Sequence, residues 1–505
     1  MSRTSNSIKF VIASAACQII ILVCGLILPP MLIAQYGSDV NGLLNLVKQL
    51  MSYFSIVCLG LGASAQVALY KPIANSDWKE INAILAAARH LYNLSGLFFS
   101  LLIILSSLIV PLLIKTDIPT MDVISVILIT GIGSICEYVI ISKYKVFLCA
   151  NQQQYINSRI TAEGIILNTL VTVALIKLKC NIVIIQVGAS VVYVLRLLYT
   201  IRYVKKHFPQ ISFHNQKAAF DKLKNRWSAF SYQLSRMIIT LSPMIIVSIV
   251  GSLSDASVFS IYFMVYSSLA MIAGIFSSGM QAPFGDIIAQ NENHTLKNAF
   301  ASYEFLYTFI LSVCFICSTL LMTSFVGSYI ENTDGVNYIR PNFSLAMCLS
   351  FFISNLRIPF TTLIEAKGLF KINNRYNLVE ALSFIVLSII LMHYQGLLGI
   401  GIAGILTGAP RTLHYILYCK AHFGEAINVM KTIIKFFLTL ALTMLLYHFI
   451  RPAQANNVFS WILQSIPVVI LLTAAILVLD IIIDRKSFSL VWDRMKSILR
   501  KQTLI

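Results

Sequence analysis

The 505-residue chain is 58% hydrophobic and only 11% charged, with a mean hydropathy of +0.81 and a formal net charge of +18. A charged share less than half of that of soluble domains excludes an ordinary water-soluble globule. The Lys and Arg lie between apolar runs and are not gathered on one domain, so nucleic acid is excluded as the partner that the net charge would otherwise suggest; an all-α polytopic membrane protein remains.

Runs of about 20 apolar residues mark the spans. Lys9 precedes the first run as in a signal peptide, but the run continues to Ala34 without a cleavage site and is kept as span 1. Spans 1 to 6 lie near 9–34, 41–70, 86–114, 122–142, 157–177 and 182–203. They make an N-lobe, residues 1–205, followed by a basic cytoplasmic linker, 206–227, holding Lys206, Lys217, Lys222, Lys224 and Arg226. Spans 7 to 12, near 228–250, 255–283, 299–326, 342–363, 375–393 and 398–419, make a C-lobe, 228–420. Spans 13 and 14, near 432–449 and 458–483, and a basic tail complete residues 421–505, for fourteen spans in all.

The two sets of six are related. Pro30-Met31-Leu32-Ile33 corresponds to Pro243-Met244-Ile245-Ile246, Gln66 to Gln281, Glu163 to Glu380 and Arg196 to Arg411, at offsets of 213, 215, 217 and 215 residues. The matches are ordered and include polar residues, which chance similarity between apolar helices does not explain. Duplicated lobes with a site between repeats are a common plan for transporters.

With the N-terminus in the cytoplasm, 27 Lys and Arg fall on the cytoplasmic side, five on the opposite side (Lys115, Lys177, Lys179, Arg340 and Arg451) and six within spans. The positive-inside rule therefore supports both the span count and the orientation. No Walker lysine loop, nucleotide fingerprint or Cys/His set with metal spacing is present, so the sequence implies no enzyme, cofactor or metal. The ten Cys read as small core residues.

Charges inside spans are costly, about 2.5 to 3.5 kcal/mol at the centre on insertion scales, and are normally kept for a partner, a water-filled cavity or a substrate. Glu163 is six residues into span 5 and Arg196 seven residues into span 6 from the same side, depths of about 9 and 10 Å at 1.5 Å per residue. Equal depth predicts that they pair, and the repeat predicts the same of Glu380 and Arg411, as structural clamps or as gates.

The span count, the Gly-rich passage Gly37, Gly42, Gly60 and Gly62, the segment LCANQQQYI after span 4, and RIPFTTLIEAKGLFK followed by VEALSFIVLSI resemble the polysaccharide-transporter family of the MOP exporter superfamily. These are flippases for lipid-linked O-antigen, capsule or exopolysaccharide repeat units in the bacterial cytoplasmic membrane. The chain departs from the pattern at Pro29-Pro30, where relatives often have Pro-Arg, and near Pro243, where they carry an acidic residue. The resemblance implies two lobes around a cavity that opens alternately to either side, and an undecaprenyl-pyrophosphate-linked oligosaccharide as substrate. It also implies a bilayer setting, and a polymerase and glycosyltransferases of the same pathway as partners.

Spans 1, 2, 7 and 8 line the cavity in proteins of this kind, so Lys48 and Arg236, which have no acidic residue at matching spacing, are the expected diphosphate contacts. Arg357, with Lys143 and Lys145, is expected at a cytoplasmic entrance for the headgroup. Other readings differ in what they require. A multidrug or cation antiporter of the MATE branch calls for an acidic cluster in one lobe, and a membrane glycosyltransferase or polymerase for a large extramembrane loop; a lipid II flippase differs mainly in the substrate's sugar and peptide. If the topology is right, alkaline phosphatase fused at Gln216 or after Ile505 is inactive; activity at either site refutes it.

Overall fold

In the computed structural model the described backbone is almost entirely helical. The structure describes all residues except 1–2, 59–60, 152, 213–217, 224–225, 279, 291, 331–335, 368–369, 450–454, 456 and 503–505, and leaves out the side chains of further residues within helices. Part of the 206–227 linker therefore lies outside the described residues.

The chain forms two compact units, Met1–Ser260 and Ile261–Ile505. The first contains α1 (Arg3–Tyr36), α2 (Ser38–Phe54), α3 (Leu61–Ala74), α4 (Trp78–Leu113), α5 (Thr120–Ile135), α6 (Ser142–Ala150), α7 (Gln154–Lys177), α8 (Ile182–His207), α9 (Arg226–Val250) and the first turns of α10 (Leu253–Ser278). The second contains the rest of α10, then α11 (Gln281–Ala289), α12 (Asn293–Tyr329), α13 (Pro341–Leu356), α14 (Ile358–Ala366), α15 (Phe370–Gln395), α16 (Leu397–Phe423), α17 (Val429–Phe449), α18 (Val458–Ile483) and α19 (Arg485–Gln502).

Ten helices among the described residues are long and apolar enough to cross a membrane, counting α5–α6 and α13–α14 each as one. Predicted spans 2, 7, 8 and 12 fall on α2–α3, α9, α10 and α16, which are interrupted, only partly described or, in α16, diluted by glycine, Arg411 and Lys420.

Polar contacts explain why the first unit extends to Ser260, past the end of the sequence repeat. In α2, Asn41 donates to Ser257 Oγ at 2.7 Å, Asp39 accepts from Ser254, and Tyr53 donates to the Ile238 carbonyl at 3.3 Å. Gly42 lets the Leu253 backbone approach so closely that a Cβ there would lie 1.9 Å from its carbonyl oxygen. Two apolar clusters fill the unit, one around Leu85, Tyr92 and Phe147, the other around Leu43, Val47, Phe99 and Ile127. The outer face of α4 presents Leu97, Phe98, Leu101, Leu108 and Leu112, as a lipid-facing helix does.

The second unit is built on α12, whose most apolar window is 67% buried, against 17% for that of α18. Phe315 of α12 stacks on Phe352 of α13 with centroids 4.4 Å apart, and Phe352 stacks on Phe436 of α17. The turn between α15 and α16 depends on glycine twice. Gly396 has φ +60, and at Gly399 a Cβ would meet the Leu391 backbone at 2.3 Å. Backbone cannot rotate out of the way as a side chain can, so Gly399→Ala is expected to cost about 1 to 3 kcal/mol. Gly25→Ala, with nothing within 4 Å of the new methyl, serves as the control. Thermal unfolding in detergent is expected to show a lower Tm for the first and no change for the second.

Candidate functional site

Each unit holds an assembly of buried charges at a break in a helix. In the first unit the break is a π-helical stretch, Cys136–Ile141, between α5 and α6. Such stretches widen the turn and recur at functional sites. Here it carries Glu137, whose Oε1 pairs with Lys145 of α6 and whose Oε2 lies 3.2 Å from Arg196 Nη2 of α8. Arg196 is 8% exposed, donates to Thr161 Oγ1 at 3.2 Å and lies over the Tyr193 ring. Gly164 of α7 makes the space: a Cβ there would fall 2.1 Å from Arg196 Cδ.

In the second unit the break separates α13 from α14. Arg357 caps α13, and Pro359 near the start of α14 has no N–H to continue the ladder. Arg357 Nη1 donates to Glu380 Oε1 of α15 at 2.6 Å, and Arg411 Nε of α16 lies 3.9 Å from Glu380 Oε2. Arg411 donates to Asn377 Oδ1 at 2.7 and 3.2 Å, Tyr415 donates to the same oxygen at 2.9 Å, and the guanidinium lies 3.8 Å above the Tyr415 ring. That cation–π contact and the hydrogen bonds satisfy a side chain that is 5% exposed.

The expected pairs are thus realised differently in the two units. Glu380 and Arg411 do meet, but the shorter bond goes to Arg357, which was expected at the substrate. Glu163 does not meet Arg196. It accepts from Arg159 at 2.7 Å across one turn of α7, and both side chains are at least half exposed. Equal depth fixed the height of Glu163 and Arg196 but not their angle. Neighbouring positions on a helix diverge by about 100°, and it is Gly164, next to Glu163, that faces Arg196.

Both units hold the same motif, a carboxylate between two cations: Lys145–Glu137–Arg196 and Arg357–Glu380–Arg411. The acid sits on the fourth span in one and on the eleventh in the other, which hid Glu137 from a search for equivalent positions, while Lys145, expected at a headgroup entrance, pairs with it. Each triad has a surplus of one positive charge. The outer cations, Lys145 and Arg357, keep 29% and 17% of their side chains accessible.

Lys48 of α2 is exposed and forms no ion pair among the described residues; only its carbonyl is engaged, by Ser52. Arg236 lies on α9, but its side chain is outside the described residues.

No family model matches the chain, and no curated protein matches it by sequence. Among solved structures it is similar to the lipid II flippase MurJ in an inward closed conformation, with a TM-score of 0.71 and 16% identity over 95% of this chain and 99% of that one. It is also similar to an inward-facing multidrug resistance MATE family transporter of the MOP superfamily, at TM-score 0.61 and 12% identity over 82% and 98% of the two chains. A third is a ligand complex of the MATE multidrug transporter DinF-BH, at 0.59 and 15% over 81% and 94%. At these identities the likeness is one of fold: a multi-pass helical membrane architecture that flippases and transporters share.

The two acidic residues of the repeat are expected to respond differently to substitution. Glu380→Gln leaves the buried Arg411 and the partly buried Arg357 without a counter-charge and is expected to cost on the order of 3 kcal/mol or more. Glu163→Gln removes one arm of an exposed i,i+4 pair and is expected to stay within about 0.5 kcal/mol. Tm values of the two purified variants test this; equal losses would refute the assignment of the triad as the buried clamp.

Proposed function

We propose that the chain is a flippase that carries an undecaprenyl-pyrophosphate-linked oligosaccharide repeat unit across the bacterial cytoplasmic membrane by alternating access, with both termini in the cytoplasm, in surface-polysaccharide synthesis. The observation that carries this reading is the positive surplus at both triads, each at a helix break with its outer cation accessible. A diphosphate is the chemical complement: guanidinium and ammonium groups bind it through charge-assisted hydrogen bonds. Lys48, exposed without an acidic partner among the described residues, fits the same chemistry, and Arg236 is assigned with it on sequence position. Outward movement of an anion is favoured by an inside-negative potential, by about 2.3 kcal/mol per charge per 100 mV.

At the triads the same observation weighs against a cationic substrate, for which an antiporter of the MATE branch calls for an acidic cluster. Length points the same way. The MATE structures match about four fifths of this chain, whereas the MurJ structure matches 95% of it. A lipid II substrate is the second reading on that ground. It shares the lipid diphosphate and differs in the sugar and peptide. A polymerase and glycosyltransferases of the same pathway are the expected partners.

Losing one charge-assisted contact removes about 1.5 to 3 kcal/mol, roughly tenfold or more in occupancy. Lys48→Met and Arg236→Met are therefore expected to reach the membrane at wild-type abundance but to restore surface polysaccharide poorly in a flippase-deficient strain; Arg236→Glu is expected to do worse. Wild-type display from Arg236→Glu at equal abundance removes Arg236 from the site, and the same outcome for Lys48→Glu removes the basic-site reading.

A further inference from the structure

The last two spans hold a second buried charge system, of opposite sign. Lys431 and Lys435 are four residues apart on α17, and Asp480 and Asp484 four apart at the end of α18, so each pair lies on one helix face. Lys431 pairs with Asp484 and donates to Ser487 Oγ at 3.0 Å. Lys435 Nζ lies 3.5 Å from Asp480 and 3.8 Å from Asp484 and faces the Phe305 ring at 4.6 Å. From α12, Glu304 accepts a hydrogen bond from Thr432 at 2.6 Å. Glu304, Lys435 and Asp480 are 3 to 4% exposed and Asp484 8%.

Three carboxylates face two ammonium groups. The system therefore has one negative charge too many for a setting where a net charge is expensive. The polar groups are also incompletely satisfied. Lys435 Nζ and Asp480 Oδ2 make no hydrogen bond among the described residues. Among the described residues, neighbouring charges do not supply the balance. Lys297 of α12 is paired with Glu425 at 3.1 Å, Lys420 donates to the Ile427 carbonyl, and Arg485 and Lys486 in the first turn of α19 are exposed, where water and salt screen them. A cavity of about 680 Å³, lined by Glu304, Lys431 and Asp484 and toward its exposed rim by Lys297, Lys420, Glu425 and Lys486, gives small ions a way in.

We propose that the Glu304–Lys435–Asp480–Asp484 system binds one monovalent cation, a proton or a sodium ion, and so links this part of the protein to an ion gradient. This goes beyond the flippase reading and does not depend on it.

The test is thermal unfolding of the purified full-length wild type and of Glu304→Gln, between about pH 5.5 and 8.5, in sodium chloride and in choline chloride. The variant removes the surplus charge with little change of shape. If the cation is a proton, the folded wild type holds more protons than the unfolded chain, so its stability falls as pH rises, by up to tenfold in the folding constant per pH unit. The wild-type Tm then drops relative to that of Glu304→Gln as pH rises, in either salt. If the cation is sodium, the wild-type Tm rises with sodium over choline by mass action and the variant's does not. A difference between the two proteins that is the same at every pH and in both salts overturns the proposal and leaves an internally balanced clamp. Should Glu304→Gln fail to accumulate, Asp480→Asn replaces it. Should both fail, infrared spectra of the wild type decide. In sodium-free buffer near neutral pH the surplus charge must be met by a proton, so a buried carboxylic acid band is expected, and its absence overturns the proposal.

Discussion

The interaction on which the rest depends is the carboxylate held between two cations in each unit. In a medium without water, an ion survives only beside its counter-ion or a group that can share its charge. Each triad draws its members from helices that are not all adjacent in sequence, so it forms only when those helices have docked. Glu380 with Arg357 and Arg411 ties α13, α15 and α16, and Glu137 with Lys145 and Arg196 ties α5–α6 to α8. Close packing then follows: Gly164 yields space to the Arg196 stem, and Gly399 admits the backbone of Leu391.

The repeat is retained in its electrostatics more faithfully than in its positions. Arg196 and Arg411 correspond, but their acid partners come from different spans, and the second cation is a lysine in one unit and an arginine in the other. The energetics permit this. The cost of insertion depends on whether the buried charge is matched, not on which helix supplies the match. Both units also break a helix beside the acid, one with a π-helical stretch and the other with Arg357 followed by Pro359.

The helical membrane architecture was legible from apolar run lengths, because run length is a one-dimensional property that a bilayer reads directly. Partner choice was not. Depth along a helix can be counted from the sequence, and it put Glu163 beside Arg196; azimuth depends on how α7 is rotated in its packing, and that turned Gly164 inward. Glu137 could have been found by asking which acid near Arg196 lacks a cation four residues away, since Glu163 has Arg159 at that spacing and Glu137 has none. Lys435 lies near the start of its span, where a lysine reads as one more of the flanking cytoplasmic charges. The i,i+4 spacings of Lys431 with Lys435 and of Asp480 with Asp484 were the available signal that two helices present charged faces to each other.

The signs of the buried surpluses separate the tasks of the chain. A site with one carboxylate between two cations, one of them accessible, tolerates an arriving anion, because the anion completes its charge balance and does not add to an excess. The system on α12, α17 and α18 has the opposite balance, and an arriving anion would only enlarge its deficit. One chain therefore offers places for ligands of both signs, and the places do not compete. If the last two helices served only to hold lipid, nothing would maintain four buried charges, Glu304, Lys435, Asp480 and Asp484, on their facing surfaces and on α12, since apolar side chains of similar volume are often as stable or more so. Charges retained at such a cost imply a ligand of matching sign, and for this network that ligand is a cation.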